Sequence, residues 1–116
     1  MHLYLHVPFC ARRCSYCDFA IAVRREGPSR AFVDAGLAEW RTWQDDAALE
    51  GVPFIRTFYF GGGTPSKLAP DAIGRLLDGL RALRPIDADA EITLEANPED
   101  VSPSAVAAWR AAGVNR

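Results

Sequence analysis

Three short apolar, β-rich segments alternate with three segments of helical period along this chain, and that alternation restricts its fold more than any other feature. Strands and helices in such an order, joined by short connections, bury their apolar surfaces as a parallel sheet with right-handed crossovers. The order βαβαβα therefore predicts the α/β class. The first segment, His2 to Val7, puts Leu3, Leu5 and Val7 on one face and Tyr4 and His6 on the other. It ends at Pro8, which lacks the N–H a strand ladder needs. The second, Phe54 to Phe60, is aromatic and β-branched and runs into Gly61-Gly62-Gly63-Thr64-Pro65, where the strand is expected to stop. The third, Glu91 to Ala96, alternates acidic or polar residues with Ile92 and Leu94 and breaks at Asn97-Pro98.

After the punctuation of Gly27-Pro28-Ser29, residues Phe32, Gly36, Trp40, Trp43 and Ala47 recur at spacings of three and four. This predicts a long amphipathic helix ending near Gly51. A second helix starts at Pro70, a favoured first helical position, and carries the core stripe Ile73, Leu76, Leu77, Leu80 and Leu83. Ala69 stands where a capping oxygen is wanted, so this start is expected to be weak by about 1 kcal/mol. Ser102-Pro103 opens a final helix that Gly113 stops, and Gly113 to Arg116 reads as entry to a fourth strand. Trp40, Trp43 and Trp109 are assigned to packing.

The 116 residues fit one domain. A complete (β/α) barrel needs at least about 200 residues, and three strands with three helices leave two bare edges. The expected architecture is therefore the (βα)3 portion of a partial parallel barrel, with the chain truncated. With 49% hydrophobic and 24% charged residues the sequence is neither disordered nor fibrous. Its longest apolar run, Phe19 to Val23, is far short of the roughly 20 residues that span a bilayer, so no transmembrane segment is expected and a cytoplasmic location is. A net charge of -2 gives no basic field for nucleic acid.

The cysteines Cys10, Cys14 and Cys17 all fall within eight consecutive residues. An odd, tightly spaced set in a chain without a secretion signal points to metal rather than to disulfides. Cys-x3-Cys-x2-Cys supplies three thiolates from one loop, which suits three corners of a cubane iron-sulfur cluster and leaves one iron open to substrate. Structural zinc, completed by His2, His6 or Asp18, is the competing reading. Arg12 and Arg13 either offset the charge of such a cluster or are simply solvated. The cysteine loop, the glycine loop and Glu95-Ala96-Asn97-Pro98 each follow a strand, so all three belong at the carboxyl end of the sheet, where parallel α/β folds carry their sites. Consecutive glycines permit close approach of backbone to a ligand, although the pattern is not a P-loop. Glu95 is placed either to accept from a ribose diol or to serve as a surface carboxylate.

Taken together, Tyr4-Leu5-His6-Val7-Pro8-Phe9-Cys10, Cys14-Ser15-Tyr16-Cys17-Asp18-Phe19, Tyr59-Phe60-Gly61-Gly62-Gly63-Thr64-Pro65-Ser66 and Glu95-Ala96-Asn97-Pro98 resemble the radical S-adenosylmethionine (SAM) superfamily. Within it they resemble the group of oxygen-independent coproporphyrinogen III oxidases and HemW heme chaperones. The resemblance implies a [4Fe-4S] cluster on Cys10, Cys14 and Cys17, with SAM on the open iron. It further implies reductive cleavage of SAM to methionine and a 5'-deoxyadenosyl radical. Tyr4, Gly62 and Glu95 match positions that contact the cofactor, Glu95 through ribose, with Gly63 and Thr64 close by. Phe19 stands where the oxidase branch carries a further cysteine, so Cys17-Asp18-Phe19 looks like HemW. That branch is regarded as binding heme and delivering it to recipient proteins without oxidase activity, and it needs an electron donor. The oxidase of porphyrin synthesis and a non-catalytic metal-binding module are the alternatives.

Overall fold

The computed structural model covers residues 1–116. In chain order it contains β1 (His2–Val7), β2 (Phe9–Cys10), β3 (Ala22–Val23), α1 (Ser29–Thr42), β4 (Ile55–Gly62), α2 (Pro70–Leu83), β5 (Ile86–Leu94) and α3 (Pro103–Ala112). β1, β4 and β5 form one sheet in the order β1-β4-β5, with both pairings parallel. The α/β alternation expected from sequence is therefore present. β2 and β3 form a separate two-residue parallel pair within the cysteine segment.

The two-residue period of a strand segregates the sheet's faces. Val7, Phe58, Phe60 and Ile92 point to the helices and pack with Val33 and Trp40 of α1, the α2 stripe and Trp109 of α3. Phe58 and Phe60, two apart on β4, meet with ring centroids 4.5 Å apart. On the α2 stripe Ile73, Leu76, Leu77 and Leu80 are buried. Each such side chain withdrawn from water contributes about 1.5–3 kcal/mol, so this stripe is a principal source of sheet-helix cohesion. The other face keeps Tyr4 and Tyr59 exposed, in register with each other and with Thr93 on β5.

Helix ends follow their local chemistry. Ala69 gives α2 no side-chain cap, whereas Ser102 Oγ accepts from Ala105 N at 3.2 Å to start α3. Gly113 ends α3 with φ 109°, in the left-handed region.

Several boundaries differ from expectation. α1 stops at Thr42 instead of continuing to Gly51, because the Asp46 carboxylate accepts from Ala48 N at 2.7 Å and starts a separate 3-10 turn over Ala47–Leu49. Trp43, just past the helix, is 48% exposed, so only Trp40 and Trp109 pack in the core. β4 continues through Gly61 and Gly62, which stay paired with His6 and Val7 of β1; the ladder outweighs the entropic preference of glycine against strands. β5 begins at Ile86, before Glu91, and accommodates the added length by a register irregularity between Ile55 and Thr57 of its neighbour. Leu83, in the last turn of α2, is exposed and stands outside the core, unlike the other four members of its stripe. The segment after Gly113 forms no strand, yet it follows the outer edge of β5. Asn115 N and Arg116 N donate to Ile92 O, and Leu94 N donates to Arg116 O. No helix is long and apolar enough to cross a membrane.

Candidate functional site

Because β1, β4 and β5 are parallel, the segments that follow them meet at one end of the sheet. Gly63 N donates to Val7 O at 2.9 Å and Glu95 N donates to Phe60 O at 3.1 Å, so the ladder extends into both loops. The cysteine segment is closed at its base by the β2–β3 pair, flanked by Ala22 N to Pro8 O at 2.7 Å and Arg24 N to Cys10 O at 2.8 Å. His6 Nε2 lies 2.7 Å from Ala20 O, which sets that ring nitrogen as the donor. Inside the loop a turn links Cys17 N to Cys14 O at 3.1 Å, and Arg13 donates to Cys17 O at 3.3 Å. Arg13 thus contacts the loop backbone, and both Arg12 and Arg13 are exposed.

All three cysteines are free thiols and partly buried. The glycine loop passes directly against the first. A Cβ on Gly63 would lie 2.9 Å from Cys10 Sγ, closer than real contacts come, and a tight 3.0 Å from Phe9 O. Gly62 has φ 113°, and a Cβ there would meet His6 Nδ1 at 2.5 Å. The buried Thr64 donates its hydroxyl to Cys10 Sγ at 3.5 Å. Such hydrogen bonds stabilise thiolate and tune a metal cluster bound to it. The exposed Tyr16 phenol is pushed above its ordinary value, first by its hydrogen bond to Cys14.

Glu95, just past β5, is exposed, and its Oε1 accepts from the Tyr59 hydroxyl at 2.7 Å. That bond is the first cause of a raised Tyr59 phenol pKa, since loss of the proton would leave two negative groups facing each other. Tyr59 stacks on Tyr4 with centroids 5.9 Å apart and planes at 23°, and Tyr4 approaches His6 Nδ1 at 3.4 Å. A further network joins the loops after β4 and β5. Ser66 donates to Asp100 Oδ2 at 2.7 Å, Asn97 N donates to Ser66 Oγ at 3.1 Å, and Lys67 Nζ donates to Asp100 Oδ1 at 2.7 Å.

Tyr4, Gly62 and Glu95 are thus linked through Tyr59 and His6, and Gly63 and the buried Thr64 lie against Cys10, with Cys14 and Cys17 on the loop attached to it. The donor chemistry suits a cluster. No three His, Cys, Asp or Glu side chains meet at a single-ion position, and a cubane needs no such convergence, because each thiolate binds a different iron. The histidines offered for a zinc site have other partners: His2 Nδ1 pairs with Thr57 Oγ1 at 2.9 Å at the amino end of β1, and His6 Nε2 holds Ala20 O. Asp18 is exposed.

The profile of the radical SAM superfamily matches residues 4–116. The chain belongs to that superfamily. Its members in general use a [4Fe-4S] cluster and SAM. The heme chaperone HemW of Escherichia coli (strain K12) is 42% identical over 117 residues, an alignment covering 100% of this chain and 30% of that protein. The mitochondrial radical S-adenosyl methionine domain-containing protein 1 of Bos taurus is 40% identical, with 98% of this chain and 25% of that protein covered. Among solved structures, the radical SAM enzyme coproporphyrinogen III oxidase (HemN) of Escherichia coli superimposes with a TM-score of 0.82 at 32% identity, covering 97% of this chain and 26% of that one. The chain therefore spans less than a third of the length of these relatives.

Lys67 and Asp100 carry no signal in the sequence, and Tyr59 and Ser66 enter it only as ends of the glycine motif, without a role. Tyr59 had a usable signal: strand alternation puts it on the same face as Tyr4. Ser66 and Asp100 are 34 residues apart, and nothing local announces their meeting.

Proposed function

We propose that this radical SAM chain is the N-terminal part of a HemW-like core domain that binds a [4Fe-4S] cluster and SAM and acts in heme binding and delivery in the cytoplasm. Cys10, Cys14 and Cys17 would hold the cluster. When bound, the reduced cluster supplies the electron that splits the sulfonium of SAM. Thr64 would donate to the thiolate of Cys10. Gly62 and Gly63 would let backbone approach SAM closely, Tyr4 would contact it, and Glu95 would accept from its ribose hydroxyls. The observation that carries this reading is the seating of Gly63 and Thr64 against Cys10 Sγ. It brings the glycine loop and the thiol loop, far apart in sequence, to one place.

The HemW assignment is supported by the 42% identity to a heme chaperone and by Phe19 two residues after Cys17. The test is anaerobic iron and sulfide analysis, with electron paramagnetic resonance spectra before and after SAM and a heme titration followed by absorbance. The expected results are four irons per chain, a spectrum altered by SAM, and heme binding. Replacing any one of the three cysteines by alanine should lower the iron content. A second reading, coproporphyrinogen III oxidase, is favoured by the likeness to HemN. Conversion of coproporphyrinogen without heme binding would select it. One zinc and no iron would instead select a structural metal module.

A further inference from the structure

We propose that Tyr59 is a positioning residue, its hydroxyl fixing the Glu95 carboxylate in the orientation that receives a vicinal diol. The inference rests on the reading that Glu95 takes the ribose of SAM and extends it to a residue which that reading does not use. Tyr59 stands on the open face of the sheet in register with Tyr4 on β1 and Thr93 on β5. The stack against Tyr4 fixes the plane of its ring, and the ring carries the hydroxyl to Glu95 Oε1 at 2.7 Å. This is the length of a charge-assisted O–H to carboxylate bond.

Glu95 has no other hydrogen-bonded side-chain partner, so in solution its exposed carboxylate would sample several rotamers without the phenol. With the phenol in place, Oε1 retains one lone pair and Oε2 retains both. A vicinal diol offers two O–H donors that match those two oxygens. Tyr59 therefore acts through Glu95 and does not itself need to touch the ligand.

The test uses the holo protein, reconstituted anaerobically, with SAM affinity read from titration of its paramagnetic resonance signal. Tyr59→Phe keeps the stack and removes only the hydroxyl. It should weaken SAM binding by about five- to tenfold, in keeping with loss of one bond to a partly exposed charged group. Glu95→Gln should also weaken binding, and the double variant should bind no more weakly than Glu95→Gln alone, because the phenol then has no carboxylate to orient. A second readout needs no cluster: in the near-ultraviolet titration of cluster-free protein, the tyrosine signal lost in Tyr59→Phe should move to lower pH in Glu95→Gln. Binding by Tyr59→Phe within about twofold of the parent, losses that multiply in the double variant, or an unmoved phenol titration would each overturn the proposal. A parent protein whose signal ignores SAM would instead bring down the underlying reading, and the proposal with it.

Discussion

The Ser66 hydroxyl donates to Asp100 Oδ2 across 2.7 Å and so clasps the loop after β4 to the turn after β5. Lys67 holds the other oxygen of the same carboxylate, and both charged side chains of that ion pair are largely buried, at 16% and 15% exposure. Asp100→Ala would take the close acceptor from a largely buried ammonium, leaving it only the exposed Glu99 at 3.9 Å, and from the buried Ser66 hydroxyl. Removing one partner from a buried pair costs about 3–5 kcal/mol, and the residual exposure here places the expected loss near the lower figure. Urea denaturation of the variant against the parent measures it. The Lys67→Met, Asp100→Leu double replacement should recover part of the loss, because no charge is then left unpaired.

Lys67 also predicts a particular pH dependence. Its pKa is raised above the ordinary 10.5, first by the hydrogen bond to Asp100 and then by the charges of Asp100 and Glu99, against an opposing effect of burial. A cation with a raised folded-state pKa contributes stability that is complete below the unfolded value and disappears as pH climbs through the folded value. The stability difference between the parent and Lys67→Met should therefore be constant up to about pH 10 and narrow above it. Urea midpoints of both proteins across that range provide the measurement. A difference that widened with alkali would contradict the pairing.

Gly62 carries a backbone constraint and a packing constraint at once. Its φ of 113° is strained for any L side chain, and the new Cβ of Gly62→Ala would press on His6 at 2.5 Å, displacing the ring that holds Ala20 O. Backbone strain alone costs about 1–3 kcal/mol, and the clash adds to it. Gly51→Ala is the control, since φ there is also positive at 72° while nothing lies within 4 Å. In chemical denaturation Gly62→Ala should lose clearly more stability than Gly51→Ala. Equal losses would mean that His6 yields freely and that the contact between β1 and the glycine loop is loose.

Much of this is legible in the sequence, for a physical reason. Ile73, Leu76, Leu77 and Leu80 announce a helix because burial must recur at the helical period, and the parallel order follows from strands and helices alternating over short connections. The cysteine spacing and the glycine run likewise declare themselves, being local and compositionally rare. Features set by competition or by distance do not. The end of α1 depends on whether the Asp46 carboxylate captures Ala48 N, a choice that the periodic Trp43 and Ala47 conceal. The pairing of Phe9–Cys10 with Ala22–Val23 is too short to show a period. Tyr59 reads as an ordinary strand aromatic until the fold brings Glu95, 36 residues on, to its hydroxyl.

The two Pro-initiated helices offer a paired test of how their starts are held. α2 begins after Ala69, whose extended backbone at φ -55° and ψ 136° has no side-chain oxygen to offer the first turn. α3 begins after Ser102, extended at φ -133° and ψ 159°, whose Oγ takes Ala105 N. Replacing Ala69 by serine should supply the missing acceptor and raise stability by about 1 kcal/mol, while Ser102→Ala should lower it by a similar amount. Ala69 N already donates to the Ser29 hydroxyl oxygen at 2.9 Å, and because the donor is main-chain this bond, which ties α1 to α2, survives the substitution. Thermal melting of both variants beside the parent should therefore move in opposite directions. A serine at 69 that melts at or below the parent would mean that the neighbouring Ser29 hydroxyl holds the new side chain away from the helix.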